Sequence, residues 1–306
     1  MTSPEDAPRT PPAVGPLEPI TVIDDIRAAA ARLSPLGRRL LGGDIDRFAA
    51  RLAALAEENG WTLVGHDDFT AWTEAELGPR DVAVVLDKLA QHSSRMPARC
   101  VPVGTHRHLR PDGGLRLELV GLPQDFAETA VGARVSVVDD AAYTGDTLCA
   151  VLKLLAGAGA QVERVLVAVS SSRAEQRLSR EMGMRTSAFL GRPVRGDVIH
   201  ARDAYPWLPF SGRAADTLST APLSARIAPL LYNGGRWLSH PALMRDRLLR
   251  ELAVSVVDRL RSFLGREPVA SDVTLFGPSV AVPLPGPVEV RPDTPLRTVI
   301  EAPSST

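Results

Sequence analysis

A parallel α/β sheet flanked by helices is the fold class this sequence predicts, and three observations predict it. Short β-branched runs recur at Trp61–Val64, Arg134–Val138 and Arg164–Ser170. Helical apolar spacing over Asp146–Ala158 separates the last two at crossover distance, and consecutive βα units of this kind imply a parallel sheet. One of the strands, in VSVVDDAAYTGDTLCAV, runs into two adjacent carboxylates, small residues and a Thr-Gly pair before a helix begins. Ligands of open α/β sheets bind at that carboxyl edge.

In chain order, residues 1–19 (MTSPEDAPRTPPAVGPLEP) are Pro-rich and poor in large apolar side chains, so they read as a disordered tail. Ile26–Leu41 and Ile45–Glu58 have helical patterning, interrupted at Ser34-Pro35 and Gly42-Gly43, with Asp44 as a candidate N-cap. Residues 20–60 therefore form a helical extension or hood ahead of the first strand. WTLVGHDD, from Trp61, is a short strand entering a polar loop, and Phe69–Glu76 follows as a helix. Pro79–Ala90 (PRDVAVVLDKLA) reads as a further helix with a proline near its first turn. Cys100–Val120 reads as a hairpin about the turn Pro111-Asp112-Gly113-Gly114. After the Arg134–Ser170 unit, a helix at Glu175–Met182 and a strand at Arg185–Leu190 complete an α/β core over 61–200. Residues 201–306 form a C-terminal hood or accessory segment, with a long helix at Ala242–Leu264 and short Pro-broken strands beyond it.

Composition narrows the partners. The chain has 306 residues, 44% of them hydrophobic, enough for an ordinary core. Its 35 basic and 36 acidic residues give a net charge of -1, which supplies no footprint for nucleic acid and points to a small-molecule partner. Cys100 and Cys149 are the only cysteines, too few for a disulfide framework and without metal-ligand spacing. No apolar run reaches membrane-spanning length, and the acidic, Pro-rich start is unlike a secretory signal, so the expectation is a cytoplasmic protein with no membrane partner.

The paired acids carry the chemistry. Asp139 and Asp140 cannot both turn into the core without a large desolvation cost, so at least one faces the crevice, where carboxylates accept hydrogen bonds from sugar hydroxyls. Ala141, Ala142, Tyr143, Thr144, Gly145, Asp146 and Thr147 then supply backbone N–H groups, two hydroxyls and a permissive glycine before a helix N-terminus, which suits an anion. A sugar bearing a phosphate fits both halves.

This stretch resembles the phosphoribosyl-pyrophosphate signature of the type I phosphoribosyltransferases: apolar strand residues, two acids, and a short loop ending in Thr-Gly-x-Thr. The resemblance covers about Trp61–Leu190 and implies a type I phosphoribosyltransferase-like core. It implies transfer of the 5-phosphoribosyl group to an unidentified acceptor with release of pyrophosphate. It further implies Asp139 and Asp140 on the ribose hydroxyls, the 141–147 segment around the 5′-phosphate, and Mg2+ on the departing pyrophosphate. The two acids would reach the magnesium indirectly, through ribose hydroxyls or water. A non-catalytic sensor of phosphoribosyl pyrophosphate or nucleotide is the alternative. A homodimer is a further expectation.

The sequence also departs from that signature. Ser136 interrupts the apolar strand, Tyr143 either lines the acceptor pocket or is a surface ring, and Asp146 either adds charge beside the phosphate or caps the helix. By order, the pyrophosphate loop is Gly65-His66-Asp67-Asp68, which is acidic rather than Gly- and Arg-rich. Asp67 or Asp68 either reaches magnesium through water or caps the next helix. The hairpin matches a mobile flap in order, and its His106, Arg107, His108 and Arg110 either neutralise pyrophosphate or form a solvated turn. Tyr205, Trp207, Tyr232 and Trp237 either stack on the acceptor or pack a C-terminal subdomain. His92, His200 and His240 show no ligand spacing and receive no role.

Overall fold

The computed structural model describes residues 20–96, 99–109, 115–120, 126, 134–196, 198–205, 207–210, 246–269, 272, 275–276, 293 and 295–297. The tail over 1–19, the Pro111–Gly114 turn, Tyr232, Trp237, His240 and most of the Pro-broken C-terminal stretch lie outside these residues.

Two parallel sheets organise the described chain. The larger contains β3 (Val82–Val85), β4 (Cys100–Pro102), β7 (Val135–Ala142), β8 (Val162–Ser170) and β9 (Thr186–Ala188), in the order β4-β3-β7-β8-β9. The smaller has the order β10-β1-β2, from β1 (Thr21–Asp24), β2 (Thr62–Gly65) and β10 (Val198–His200). Within the larger sheet the chain starts at β3, steps outward to β4, and returns to the other side of β3 at β7. The strand order therefore reverses between β3 and β7, and doubly wound sheets open their ligand crevice at such a reversal.

The three central strands of the larger sheet, β3, β7 and β8, are buried on both faces along most of their length. Val82, Val84, Val135, Val137, Val165 and Val167 pack on α5 (Asp146–Gly157) through Leu148, Val151, Leu152 and Leu155. On the opposite face Ala83, Val85, Val138, Leu166 and Ala168 meet Phe69 of α4 (His66–Glu76). Ile23, Val64 and Val198, one from each strand of the smaller sheet, join that same cluster, so the two sheets share a core. Each fully buried aliphatic side chain of this kind contributes about 1.5–3 kcal/mol.

Covering both faces explains the main correction to the sequence reading. Pro79–Ala90 contains a strand, β3, rather than a helix. Val82, Ala83, Val84 and Val85 are all fully buried, so the strand shows a continuous apolar run instead of alternation, and a run that short has no period of its own. The extension over 20–60 likewise opens with a strand, β1, which pairs in parallel with both β2 and β10. Its helices are α1 (Ile26–Ala30), α2 (Pro35–Leu41) and α3 (Asp44–Asn59). Ser34 caps α2 by accepting from the Gly37 N–H at 2.9 Å. Asp44 is not the cap of α3; Gly43 is, and the Asp44 carboxylate instead pairs with Arg259 of α7 (Arg247–Leu264). That long helix begins at Arg247, with 242–245 outside the described residues.

The hairpin is real but shorter than Cys100–Val120. Cys100–Pro102 pairs in parallel with β3, and the antiparallel pair is β5 (Gly104–Leu109) with β6 (Leu115–Val120). The helix expected at Glu175–Met182 is α6 (Ser172–Met182). Tyr205 and Trp207 are fully buried, packed on Phe48 and Phe276 respectively, which places them in the core beneath the smaller sheet rather than on an acceptor. Among the described residues no helix is long and apolar enough to cross a membrane.

Candidate functional site

β7 runs through the acids instead of stopping before them. Asp139 pairs in register with Val167, Ala141 with Val169 and Ala142 with Ser170. Ala141 and Ala142 are therefore strand residues, and the loop expected over Ala141–Thr147 contracts to Tyr143–Gly145. Asp146 and Thr147 already belong to the first turn of α5.

Alternation along the strand sends consecutive side chains to opposite faces. Asp140 shares the face of Val138, the one turned toward the smaller sheet. Asp139 is buried, only 7% exposed, and its Oδ1 accepts from the Asp140 N–H at 3.1 Å.

Several contacts brace the loop. The Ser171 N–H donates to the Ala142 carbonyl at 2.9 Å, and the Ser171 hydroxyl donates to the Tyr143 carbonyl while accepting from Ala174 N–H at 3.1 Å. Tyr143 projects outward, 47% exposed. Gly145 caps α5 in the left-handed region (φ +76°), with no side-chain hydrogen bond to the first turn. A Cβ here would sit 3.4 Å from Ala174 Cα, an ordinary contact, so it is the backbone angle that reserves the position for glycine. A left-handed glycine opening a helix of 12 residues leaves first-turn N–H groups facing the carboxyl edge of the sheet, a geometry that holds anions.

Asp146 is not the helix cap. Its carboxylate accepts from the Thr144 hydroxyl at 2.6 Å and pairs with Arg177 of α6, so its charge is balanced beside the loop. The Arg177 guanidinium also reaches Glu181 at 2.8 Å. No spacing signal in the sequence points to Arg177.

The loop next to the motif is also displaced from its expected place. β2, which leads into Gly65-His66-Asp67-Asp68, lies in the smaller sheet, whereas the strand beside β7 is β3. The loop at the strand reversal is therefore Leu86–Ala90, and it contains Lys88, one of the chain's two lysines. Asp67 and Asp68 sit in the first turn of α4, where acidic side chains suit the helix dipole; neither is the cap, which is Gly65.

Two buried ionic bridges join the sheets at this edge. His66 Nε2 is 3.0 Å from Asp87 Oδ2, and the Asp87 carboxylate accepts from the Leu89 and Ala90 N–H groups at 3.0 and 3.1 Å. Burial works against charge on both partners. The His66 hydrogen bond and Arg202 nevertheless hold the Asp87 carboxyl well below the usual aspartate range, while Asp87 raises His66 above its ordinary value of 6.5.

In the second bridge Asp25, fully buried, accepts from Arg202 N–H at 2.8 Å, from the Arg202 guanidinium, and from His200 Nδ1 at 3.0 Å. Burial alone would push the Asp25 carboxyl up, but Arg202 and His200 hold it below the ordinary value. From the other side His200 Nε2 lies 3.4 Å from Asp140 Oδ2, and the Arg202 guanidinium lies 3.7 Å from the same oxygen. His200, given no role by spacing, thus faces the second acid of the motif.

Of the remaining expected residues, Arg107 lies in β5 opposite Leu117, and Arg110 lies outside the described residues. A hollow of about 650 Å³ lies between α6 and β9, with Ser170, Arg180, Arg185 and Arg192 on its wall. Among the described residues no group of three or more His, Cys, Asp or Glu side chains has metal-holding geometry. The described residues therefore build no cage of their own, and Asp139 and Asp140 fit a magnesium ion indirectly, through oxygens that a substrate or water would bring.

No family model and no curated sequence matches the chain. Among solved structures it is similar to a purine phosphoribosyltransferase from Pyrococcus horikoshii Ot3, at 17% identity and a TM-score of 0.28, covering 44% of this chain and 82% of that one. It is similar to an orotate phosphoribosyltransferase from Aeropyrum pernix at 24% identity and a TM-score of 0.25, covering 53% and 76%. An adenine phosphoribosyltransferase from Trypanosoma brucei overlaps 56% of this chain and 72% of its own, at 14% identity and a TM-score of 0.28. At such TM-scores these overlaps assign no residue a role, and the site stands on its own geometry.

Proposed function

We propose that this protein is a phosphoribosyltransferase that moves the 5-phosphoribosyl group from phosphoribosyl pyrophosphate to a small-molecule acceptor. The carrying observation is the unit at the strand reversal, where β7 bears two acids near its end, the three-residue loop Tyr143–Gly145 follows it, and the left-handed Gly145 opens α5. On this reading the loop and the first-turn N–H groups of α5 hold the 5′-phosphate, and the acids address the ribose. Lys88, in the loop after β3, and Arg107, in the hairpin, stand in the segments that would meet pyrophosphate.

The reaction breaks the C1–O bond to pyrophosphate, which leaves with the electron pair. The acceptor's lone pair forms the new bond at C1, and the acceptor gives up a proton. Positive charge gathers on C1 and the ring oxygen between these events, and fixed carboxylates stabilise it better than reorienting water does. Magnesium, where bound, would neutralise pyrophosphate; the protein's own part is to orient the ribose. The substrates are soluble small molecules, in keeping with cytoplasmic action.

Calorimetric titration of phosphoribosyl pyrophosphate with magnesium, followed by pyrophosphate release against a panel of nitrogen acceptors, tests the proposal. Saturable binding and acceptor-dependent release are expected. Absence of binding by the wild-type protein would overturn it.

A further inference from the structure

The site has a part that lies outside the motif. We propose that His200, held by the buried Asp25, is a positioning residue for Asp140, so that the smaller sheet completes the site formed by the larger one. This rests on the phosphoribosyltransferase reading for what Asp140 binds, but the contact itself does not.

The argument is geometric. His200 is the last residue of β10, and Asp25 follows the last residue of β1, its neighbour in the sheet. The Nδ1 of His200 donates to Asp25 at 3.0 Å, which fixes the ring plane and aims Nε2 at Asp140 Oδ2, 3.4 Å away. The His200 side chain is 12% exposed, and those of Asp25 and Asp140 are 0% and 14% exposed. With carboxylates facing both nitrogens, the ring ties the Asp140 side chain to Asp25 across the gap between the sheets.

The charged groups that face this ring are Asp25 from the end of β1, Asp140 from β7, and Arg202 from the turn after β10. Arg202 is itself surrounded by Asp25, Asp203, Asp87 and Asp140, which together keep its guanidinium charged against the cost of burial. The arginine alone does not replace the histidine, because its approach to Asp140, at 3.7 Å, is the longer of the two.

The test separates the two ring nitrogens. His200→Asn keeps an amide donor near the Nδ1 position, toward Asp25, and loses the group facing Asp140. His200→Gln keeps a donor near Nε2. Calorimetry with magnesium and phosphoribosyl pyrophosphate is expected to show binding about tenfold weaker in His200→Asn, the scale of one hydrogen bond to a charged group, with most of the loss recovered in His200→Gln. Independently of any ligand, the ¹⁵N signals of the His200 ring are expected to shift in Asp140→Asn. Wild-type affinity in His200→Asn, or ring signals that ignore Asp140→Asn, would overturn the proposal. If the wild-type protein binds no phosphoribosyl pyrophosphate, the functional reading falls instead, and the ring signals still decide whether His200 positions Asp140.

Discussion

Two strands of this molecule carry a pair of acids at the carboxyl edge and use it differently. β1 closes on Asp24 with Asp25 next to it, and β7 carries Asp139-Asp140 two residues before its last, Ala142. In the first pair Asp25 is fully buried and enclosed by Arg202 and His200, and burial beside Asp25 raises the Asp24 carboxyl above its ordinary value. In the second pair Asp140 keeps one side toward the crevice, and a left-handed glycine follows three residues after Ala142. What comes next in the chain decides the outcome. After Asp25 the helix α1 begins at once with the buried Ile26, which draws the acid inward. After Asp140 the strand continues two residues and then turns on Tyr143–Gly145, leaving room for an anion at the helix start. A pair of acids at a strand end is thus a location, and the residues after it make that location either a structural clasp or a binding site.

The largest expected effect breaks the clasp. Asp25→Ala leaves Arg202 and His200 buried without their shared partner, and breaking a buried pair in this way costs about 3–5 kcal/mol. Urea denaturation is the measurement, and a loss below about 1 kcal/mol would mean that β1's acids are not structural. The Asp25 contribution also has a pH sign. Because its folded pKa is lowered, the stabilisation is present above the ordinary aspartate value of 3.8 and is lost as pH falls through the folded value.

Asp140→Asn is the matched change at the open pair. Its expected signature is the opposite: turnover of phosphoribosyl pyrophosphate falls about 10²–10³-fold, while the urea midpoint stays near that of the wild type. Equal stability losses in Asp25→Ala and Asp140→Asn would erase the distinction between the pairs.

Gly145 tests the loop that makes the second pair different. Gly145→Val forces a β-branched residue to φ +76° and brings its Cβ to 3.4 Å from Ala174, at a strain of about 1–3 kcal/mol. Thr144→Ala removes a hydroxyl already engaged by Asp146 at 2.6 Å, so its cost to the anion site is smaller. Titration of ribose 5-phosphate should show binding abolished in Gly145→Val and weakened only a few-fold in Thr144→Ala, about the worth of one hydrogen bond. The reverse order would show that the hydroxyl, not the backbone, holds the phosphate.

The open pair and its loop were legible in the sequence because all their signals are local. Strand, acids, Thr-Gly and helix pattern lie within VSVVDDAAYTGDTLCAV, and the hairpin was legible from its turn residues for the same reason. β3 was not, because VAVV is too short for its period to declare itself and is buried on both faces. β1 was not, because TVID gains its identity only by pairing with strands at Thr62 and Val198. The clasp was invisible for a stronger reason: Asp25 and His200 stand 175 residues apart, and no spacing rule connects them. Reading β3 as a helix also hid the loop at the strand reversal, Leu86–Ala90, because the strand beside β7 is β3 and not β2.

The smallest expected effect sharpens the comparison by isolating the other bridge between the sheets. His66 Nε2 meets Asp87 at 3.0 Å, while its Nδ1 makes no hydrogen bond and lies 4.0 Å from Asp67. Burial disfavours the imidazolium, yet Asp87, helped by Asp25 and opposed by Arg202, raises His66 above 6.5. A raised histidine contributes stability that is full below its unfolded value and is lost as pH climbs through the folded value. The wild-type unfolding free energy should therefore fall as pH is raised from below 6.5, with a slope from this group of at most about 1.4 kcal/mol per pH unit. His66→Gln keeps a donor to Asp87 that does not titrate, so subtracting its pH profile from that of the wild type isolates the contribution of His66. A difference curve that declines above pH 6.5 assigns the titration to this bridge, whereas a flat one would mean that the imidazole stays neutral against Asp87 and that the sheets are joined by charge at Asp25 alone.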